Sequence, residues 1–131
     1  MARERRDPPS GPIIAGPGTA PISAVGGSLV IHEWTDPGPS YLHIHHADDE
    51  AWHVLEGHLR FRLQGRAADA PAGTTVFVPA GVAHTYEVTK PSRYLIFLTP
   101  RLDRLIARLE GLSDRSEIRA TLAEFDSEML E

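Results

Sequence analysis

The chain has 131 residues, a formal net charge of −5 at pH 7 and no cysteine. Its length predicts one domain, and the interspersion of arginines with acidic residues excludes the basic stripe that nucleic-acid binding requires. Without cysteine, the chain has neither a disulfide framework nor a thiolate metal site. No run of about 18 apolar residues occurs, and no apolar segment follows the charged N-terminus. We therefore expect a cytoplasmic protein whose partner is a small molecule and which contacts no membrane.

The first 12 residues are charged and rich in proline and glycine, a composition that buries too little apolar surface to fold by itself. We expect residues 1–12 to form a flexible N-terminal arm. Between residues 13 and 100, glycine or proline separates short apolar or alternating runs about every ten residues, which predicts antiparallel β-strands in a barrel or sandwich. The predicted strands are residues 29–34, 41–45, 50–55, 58–63, 75–78, 83–88 and 93–99. Turns are expected at Gly57, Gly65, Gly73 and Gly81.

Beyond Pro100 the apolar residues recur about every 3.6 positions, which is the period of a helix. The first helix is predicted from an apolar face made of Leu102, Leu105, Ile106 and Leu109. Gly111 lies just past this face, where a helix C-cap is expected. Asp114 and Glu117 have the spacing of a capping box, which predicts the start of a second helix. Its apolar stripe consists of Ile118, Leu122, Phe125 and Met129. We expect residues 101–131 to form two helices that cover the sheet or contact a partner subunit.

Histidines are concentrated in one part of the chain, and five of the seven lie within residues 43–58. Alternate residues of a strand point to the same face, so His43 and His45 are predicted to share one wall of the barrel. Glu50 begins the next strand and His84 follows a predicted turn, so both side chains can reach that wall. Three imidazoles and one carboxylate favour a divalent transition metal, namely Fe, Mn, Ni, Co, Cu or Zn, over Mg or Ca, which prefer oxygen ligands.

These residues lie in two blocks that resemble the two motifs of the cupin family. The first cupin motif is Gly, five residues, His-x-His, three or four residues, Glu, six residues, Gly; residues 38–57 match it except that four residues follow Gly38. The second motif is Gly, five residues, Pro-x-Gly, two residues, His, three residues, Asn; residues 73–84 match it, and Val88 replaces the Asn. The resemblance covers about residues 13–100, and the pair of motifs is specific.

The resemblance implies an all-β cupin fold, which is a double-stranded β-helix or jelly-roll barrel, followed by the two C-terminal helices. It also implies that two copies of the chain pair as a homodimer through edge strands. One metal ion would be held by the residues that match the motifs, His43, His45, Glu50 and His84. Residues 49–57, and residues 98–100 with the helix that follows them, are more narrowly similar to bacterial monocupins of the quercetin-dioxygenase type.

The other histidines have different explanations. His46 and His53 alternate onto the opposite face of their strands, which favours a role at the surface or in contact with a metal ligand. His32 and His58 are expected at the surface or as partners across strands. None of these four is predicted to bind the metal.

Two aspartates and five aromatic residues complete the predicted site. Asp48 and Asp49 are expected to be turn residues, with Asp49 as an alternative to Glu50 in binding the metal. The candidate walls of a substrate pocket are Tyr41, Trp52, Phe61, Tyr86 and Phe97. Each of these aromatic residues, taken singly, is also explained as part of an ordinary core.

Four protein ligands leave one or two coordination positions open, which is typical of a catalytic metal site. A divalent ion bound by one carboxylate has a net charge of about +1, which stabilises an enolate or catecholate oxygen. Glu50 is the nearest base and is expected to accept the substrate proton. These features favour a metal-dependent, quercetinase-like dioxygenase that acts on a small enolisable or phenolic compound. A non-oxidative metallocupin (an isomerase, cyclase or lyase) and a non-catalytic ligand-binding cupin use the same residues and remain alternatives.

Overall fold

The computed structural model describes residues 11–131, which form eight strands and two helices. The predicted N-terminal arm, residues 1–12, lies outside this range except for its last two residues. The strands are β1 (Ser23–Val25), β2 (Val30–Trp34), β3 (His43–His45), β4 (Glu50–Leu63), β5 (Arg66–Pro71), β6 (Thr75–Val78), β7 (His84–Leu98) and β8 (Ser127–Met129). The helices are α1 (Pro100–Leu109) and α2 (Arg115–Glu124). Within residues 11–131, neither helix has the length and apolar character needed to cross a membrane.

The two longest strands, β4 and β7, form the centre of the sheet. They run antiparallel from Ala51 opposite Phe97 to Leu63 opposite His84. β4 also pairs with β5 and β6, and β7 also pairs with β2 and β3. β1 and β8 extend the sheet as the partners of β2 and β3. The pairings are antiparallel, which confirms the predicted all-β fold with two C-terminal helices.

One side of β4 is buried along most of its length, although the buried positions change parity. Trp52 and Val54 are buried before Gly57, whereas Leu59 and Phe61 are buried after it. The pairing with β7 shifts register around Gly57, as a β-bulge requires. The two strands predicted on either side of Gly57 are therefore one strand, and the predicted turn between them is wrong. The bulge keeps apolar side chains on the inner face in both halves of the strand.

The predicted strands at residues 83–88 and 93–99 are likewise one strand, β7, because pairing with β4 continues between them at Lys90. The sequence does not predict β1 or β5. β5 consists mainly of alanine and charged residues, which have low β propensity, and most of it is exposed. β5 is stabilised by its pairing with the second half of β4. The amino-acid pattern of β5 alone does not reveal this partner, so the sequence does not predict the strand.

A capping hydrogen bond forms at the start of each helix, and the one at α2 is the one that the sequence predicts. The side chain of Thr99 accepts a hydrogen bond from the backbone N–H of Leu102 at the start of α1. The side chain of Asp114 accepts a hydrogen bond from the backbone N–H of Glu117 at the start of α2, which confirms the predicted cap. Gly111 has a φ of 83° just past α1, so it adopts the left-handed conformation expected after a helix C-terminus.

The end of the chain differs from the prediction. The helical stripe predicts α2 as far as Met129, but α2 ends at Glu124, so this prediction is wrong. Asp126 has a φ of 52°, and the chain then continues as β8, which pairs with β3. His45 lies opposite Ser127 in that pairing. Sheet pairing therefore outweighs the helical spacing of the last apolar residues.

We predict that Gly57→Ala lowers the free energy of unfolding by at least about 2 kcal/mol. Gly57 has a φ of 88°, and a Cβ atom there would lie 2.2 Å from Ser92 Oγ and 2.5 Å from the carbonyl oxygen of Pro91. Urea unfolding of both proteins measures the difference. Gly65→Ala is the matched control, because its φ is 79° but no atom lies within 4 Å of the new Cβ. Equal losses for the two variants would contradict the prediction.

Candidate metal centre

Four side chains from three strands meet inside the sheet. His43 and His45 lie on β3, Glu50 begins β4, and His84 begins β7. All four are buried, and one nitrogen or carboxylate oxygen atom from each lies within 4.8 Å of the others. The structure therefore brings together the four residues that the sequence predicts as metal ligands.

Main-chain contacts hold β3 against its neighbours. His43 lies opposite His84 in the pairing of β3 with β7, and the centroids of their rings are 4.4 Å apart. The backbone N–H of Gly81 donates to the carbonyl of His45 at 2.8 Å. Gly81 has a φ of 89°, which favours glycine, so the turn that precedes His84 is held against the strand that carries the other two histidines.

The Nδ1 atoms of His43 and His84 are held by backbone carbonyls. Nδ1 of His43 donates to the carbonyl of Tyr41 at 3.1 Å, and Nδ1 of His84 donates to the carbonyl of Val82 at 2.9 Å. A carbonyl oxygen only accepts hydrogen bonds, so each Nδ1 carries a hydrogen and each neutral ring has its lone pair on Nε2. Histidines that bind metals are oriented by such hydrogen bonds on the opposite nitrogen.

The third histidine, His45, is held by β8. Its Nδ1 lies 2.7 Å from Ser127 Oγ, and the hydroxyl of Ser127 donates to the carbonyl of Phe125 at 3.0 Å. Because Ser127 has one hydroxyl hydrogen, it accepts the hydrogen bond from His45. The sequence does not predict a role for Ser127. This residue lies within the second predicted helix, and its neighbours in sequence do not indicate that it contacts the distant strand β3.

Glu50 lies beside two of the imidazoles. Its Oε1 is 2.6 Å from Nε2 of His84 and 3.1 Å from Nε2 of His45. Burial alone would raise the pKa of Glu50, but the protonated forms of His45 and His84 donate hydrogen bonds from Nε2 to its carboxylate, and these bonds, together with the charges of those forms, hold that pKa well below its usual value. Burial likewise opposes a charge on His84, but the hydrogen bond and the charge of Glu50 outweigh it and raise the pKa of His84.

His43 stays neutral over a wide range of pH. Burial, followed by the charges of His84 and His45, lowers the pKa of His43 to about 3. A neutral imidazole and an ionised carboxylate are the forms that bind metal ions. In donor type, charge and proximity, the four residues therefore fit one divalent transition-metal ion.

The cluster faces a cavity of about 480 Å³. His43, His45 and Glu50 line this cavity. Three of the five predicted aromatic wall residues also line it: Tyr41, Trp52 and Tyr86. The two helices contribute apolar side chains to the lining, namely Leu105, Ile106, Leu109, Ile118 and Leu122. The helices thus enclose the cavity, whereas the sequence predicts them only as cover for the sheet or a contact with a partner.

The other two predicted wall residues lie elsewhere. Phe61 is fully buried, stacks on Tyr86 with ring centroids 5.2 Å apart, and lines a second cavity of about 320 Å³. Phe97 lies between the buried Ile96 and Leu98, so its side chain is on the outer face of β7. Neither phenylalanine is among the described residues that line the cavity beside the cluster.

Three of the remaining histidines lie outside the cluster and form polar contacts near the surface. His46 is exposed, and its Nε2 lies 2.9 Å from Glu128. His53 hydrogen-bonds to Thr75 at 2.8 Å. His58 contacts Thr89 at 2.6 Å. These contacts agree with the surface roles that their positions predict.

His32 is buried and connects β1 to α1. Its Nδ1 lies 3.0 Å from Ser23 Oγ, and its Nε2 lies 2.9 Å from the carboxylate of Asp103. Ser23 is its partner in the pairing of β1 with β2, so the predicted cross-strand role is confirmed. The contact with Asp103 also attaches helix α1, which lines the cavity, to the sheet.

The two aspartates next to Glu50 contact other parts of the chain. Asp49 accepts a hydrogen bond from the backbone N–H of Ala80 at 2.8 Å, so it connects two loops. Asp48 accepts a hydrogen bond from the guanidinium of Arg101 at 2.6 Å. Glu50, and not Asp49, therefore supplies the carboxylate of the cluster among the residues that the structure describes.

Comparison with protein families gives one match. Residues 33–98 match a family model described as the cupin domain. This range contains all four residues of the cluster. No curated protein has a sequence that matches the chain significantly.

Solved structures resemble the chain in fold. A cupin-2 domain containing protein from Shewanella frigidimarina is 23% identical with a TM-score of 0.53, over 60% of this chain and 78% of that one. The structure of KdgF from Halomonas is 18% identical with a TM-score of 0.55, over 71% of this chain and 90% of that one. A protein from Bacillus halodurans is 18% identical with a TM-score of 0.53, over 61% and 69% of the two chains. At these identities the likeness shows the fold alone.

We predict that Ser127→Ala weakens metal binding by about 10- to 100-fold, because Nδ1 of His45 loses the acceptor that orients its ring. Competition for zinc between the metal-free protein and a chelator measures the affinity. Ser116→Ala is the matched control, since Ser116 is exposed on α2. An affinity within twofold of the wild-type value for Ser127→Ala would contradict the role of β8 in the site.

Proposed function

Because this chain belongs to the cupin family, we propose that it is a metal-dependent dioxygenase that acts on a small enolisable or phenolic compound. The observation that carries this proposal is the buried cluster of three histidines and one glutamate facing an apolar cavity. Four protein donors leave open positions on a five- or six-coordinate ion, as catalytic sites require. The cavity volume of about 480 Å³ is within the range of small-molecule sites.

One divalent metal ion, when bound, supplies Lewis acidity toward a substrate oxygen and, if it is redox-active, reactivity with O₂. The chain itself supplies an ionised carboxylate, because its imidazole neighbours hold the pKa of Glu50 below the usual value. A carboxylate is a much weaker base than an alkoxide, so it accepts a proton most readily from a hydroxyl that is itself acidic or is acidified on binding. Phenols and enols are such hydroxyls, which favours them over simple alcohols as substrates.

The walls of the cavity suit a flat organic molecule. Trp52 lines it from β4, Tyr41 lines it from the segment before β3, and the helices line it with leucine and isoleucine. Aromatic and aliphatic walls contact a planar apolar ligand on its faces and exclude water from the reacting atoms. Tyr41 is close to the cluster, since its ring is 5.7 Å from that of His43.

We predict that His84→Ala loses bound metal while the sheet stays folded. The variant lacks one of the four metal ligands. Metal affinity is therefore expected to fall by more than the roughly 100-fold loss that follows removal of a residue that only hydrogen-bonds to a ligand. Elemental analysis of protein purified without added metal measures the content, and circular dichroism checks the fold. His46→Ala is the control, because His46 is exposed and lies outside the cluster. Unchanged metal content in His84→Ala would refute the ligand assignment.

We predict that the wild-type protein, loaded in turn with iron, manganese, nickel, cobalt and copper, consumes O₂ with at least one of a flavonol, a catechol or a β-diketone. An oxygen electrode measures the uptake, and His84→Ala is the matched control. Turnover without O₂ in the zinc-loaded protein would instead support an isomerase, cyclase or lyase. Ligand binding without any product, whichever metal is loaded, would support a non-catalytic binding cupin.

The expected homodimer and the cytoplasmic location remain predictions.

A further inference from the structure

The contact between Ser127 and His45 depends on a short strand at the edge of the sheet. β8 has three residues and, within residues 11–131, pairs with β3 alone. A short strand with one neighbour opens at a low free energy. When β8 leaves β3, His45 loses the hydroxyl oxygen that accepts the hydrogen bond from its Nδ1. The stability of this pairing therefore limits how well the ring of His45 is oriented.

Glu131, two residues beyond β8, fastens this strand to two other parts of the chain. Its carboxylate accepts two hydrogen bonds from the guanidinium of Arg62 on β4, at 2.6 and 3.1 Å. The same carboxylate accepts a hydrogen bond at 3.0 Å from the backbone N–H of Leu42, which directly precedes β3. The backbone N–H of Leu130 donates to the carbonyl of Leu42 at 2.9 Å. The contact between the two segments thus continues past β8 as far as Glu131.

The ion pair between Arg62 and Glu131 is present over a wide range of pH. The hydrogen bond from Arg62, followed by that from Leu42, lowers the pKa of Glu131 to about 2. The guanidinium presents two parallel N–H groups to the carboxylate, a geometry that lysine does not reproduce. The side chains of Arg62 and Glu131 are 50% and 43% exposed, so the pair contributes a modest free energy. A modest free energy is enough to change how often a three-residue strand opens.

Other polar contacts of this segment differ from the ion pair with Arg62. Arg115 and Arg119 donate to main-chain carbonyls in and just past β8, but both belong to α2, the helix that leads into β8. Their bonds hold β8 to its own helix and not to β3. His46 contacts Glu128 at 2.9 Å, but this contact is an ion pair only while the imidazole is protonated. Arg62, in contrast, is always charged and reaches the segment from the central strand β4.

We propose that Arg62 and Glu131 are positioning residues of the metal centre, because their ion pair keeps β8 on β3 and thereby lets Ser127 orient His45. This role rests on the metal site of the proposed function and not on its dioxygenase chemistry. Metal binding and the pairing of β8 with β3 then stabilise each other, since the coupling between two equilibria is reciprocal.

Competition for zinc between the metal-free protein and a chelator tests the proposal. We expect Arg62→Ala to bind zinc about two- to fivefold more weakly than the wild type. Arg60→Ala is the matched control, because Arg60 is also exposed on β4 and has the same charge, but its partner is Asp69 of β5 at 3.1 Å. Arg62→Lys keeps the charge without the paired N–H groups and is expected to have an intermediate affinity. Equal affinities for Arg62→Ala and Arg60→Ala would overturn the proposal.

A double variant shows whether Arg62 acts through Ser127. In protein that already carries Ser127→Ala, the further change Arg62→Ala is expected to leave zinc affinity unchanged, because the contact that Arg62 maintains is absent. A loss as large as in the wild-type background would overturn the proposal, since a general loss of stability would persist there. Circular dichroism checks that each variant folds.

Amide hydrogen exchange tests the coupling in the wild type. The backbone N–H of Leu130 reports the opening of β8, because it donates to Leu42. Saturation with zinc is expected to slow its exchange by at least about tenfold. The amide of Gly26, which donates to Leu29 in the turn between β1 and β2, is the control and is expected to keep its rate. In Ser127→Ala, zinc is expected to leave the exchange of Leu130 unchanged. No slowing in the wild type, or equal slowing in both proteins, would overturn the proposal.

The two proposals fail separately. If Arg62→Ala weakens zinc binding as expected but no metal supports O₂ uptake, the proposed dioxygenase fails and the role of Arg62 stands. If O₂ is consumed but Arg62→Ala binds zinc like the wild type, only the role of Arg62 fails.

Discussion

His43 and His84 lie opposite each other where β3 pairs with β7, and the rest of the site depends on that register. Successive side chains of a strand point to opposite faces, so a slip of one residue would move both histidines of β3 out of the interior. Glu50 and Trp52 depend in the same way on the register of β4. The bulge at Gly57 lets this strand keep its inner face buried in both halves, so the site and the core are built by one continuous strand.

The cluster places three imidazoles and a carboxylate in the protein interior, where unpaired polar groups are costly. The chain limits this cost because the Nδ1–H groups of the three rings donate hydrogen bonds to the carbonyls of Tyr41 and Val82 and to the hydroxyl oxygen of Ser127. The same bonds direct the Nε2 atoms toward one point, so the stability of the fold and the geometry of the candidate metal centre have a common origin. Trp52 is the exception among the buried residues beside the cluster, since its donor has no acceptor in the described chain.

Two features of the sequence predict the cluster: His43 and His45 share a strand face, and all four residues occupy the expected positions of the two cupin motifs, which bring in the distant His84. The sequence also predicts the helix caps, since Asp114 acts on an amide three residues away. It does not predict β8 or Ser127, because the last apolar residues have helical spacing and only a distant partner, β3, makes them a strand. Phe97 shows the same limit: its place in the sequence suits a pocket wall, but the parity of β7 puts it on the outer face.

The central claim is that these four side chains together hold one metal ion. X-ray absorption spectroscopy of the zinc-loaded wild-type protein tests it most directly, because the spectrum reports the number and type of ligand atoms. Three imidazole nitrogens and one carboxylate oxygen at about 2.0–2.2 Å are the predicted protein ligands. A zinc ion bound by fewer than three imidazoles would contradict the account.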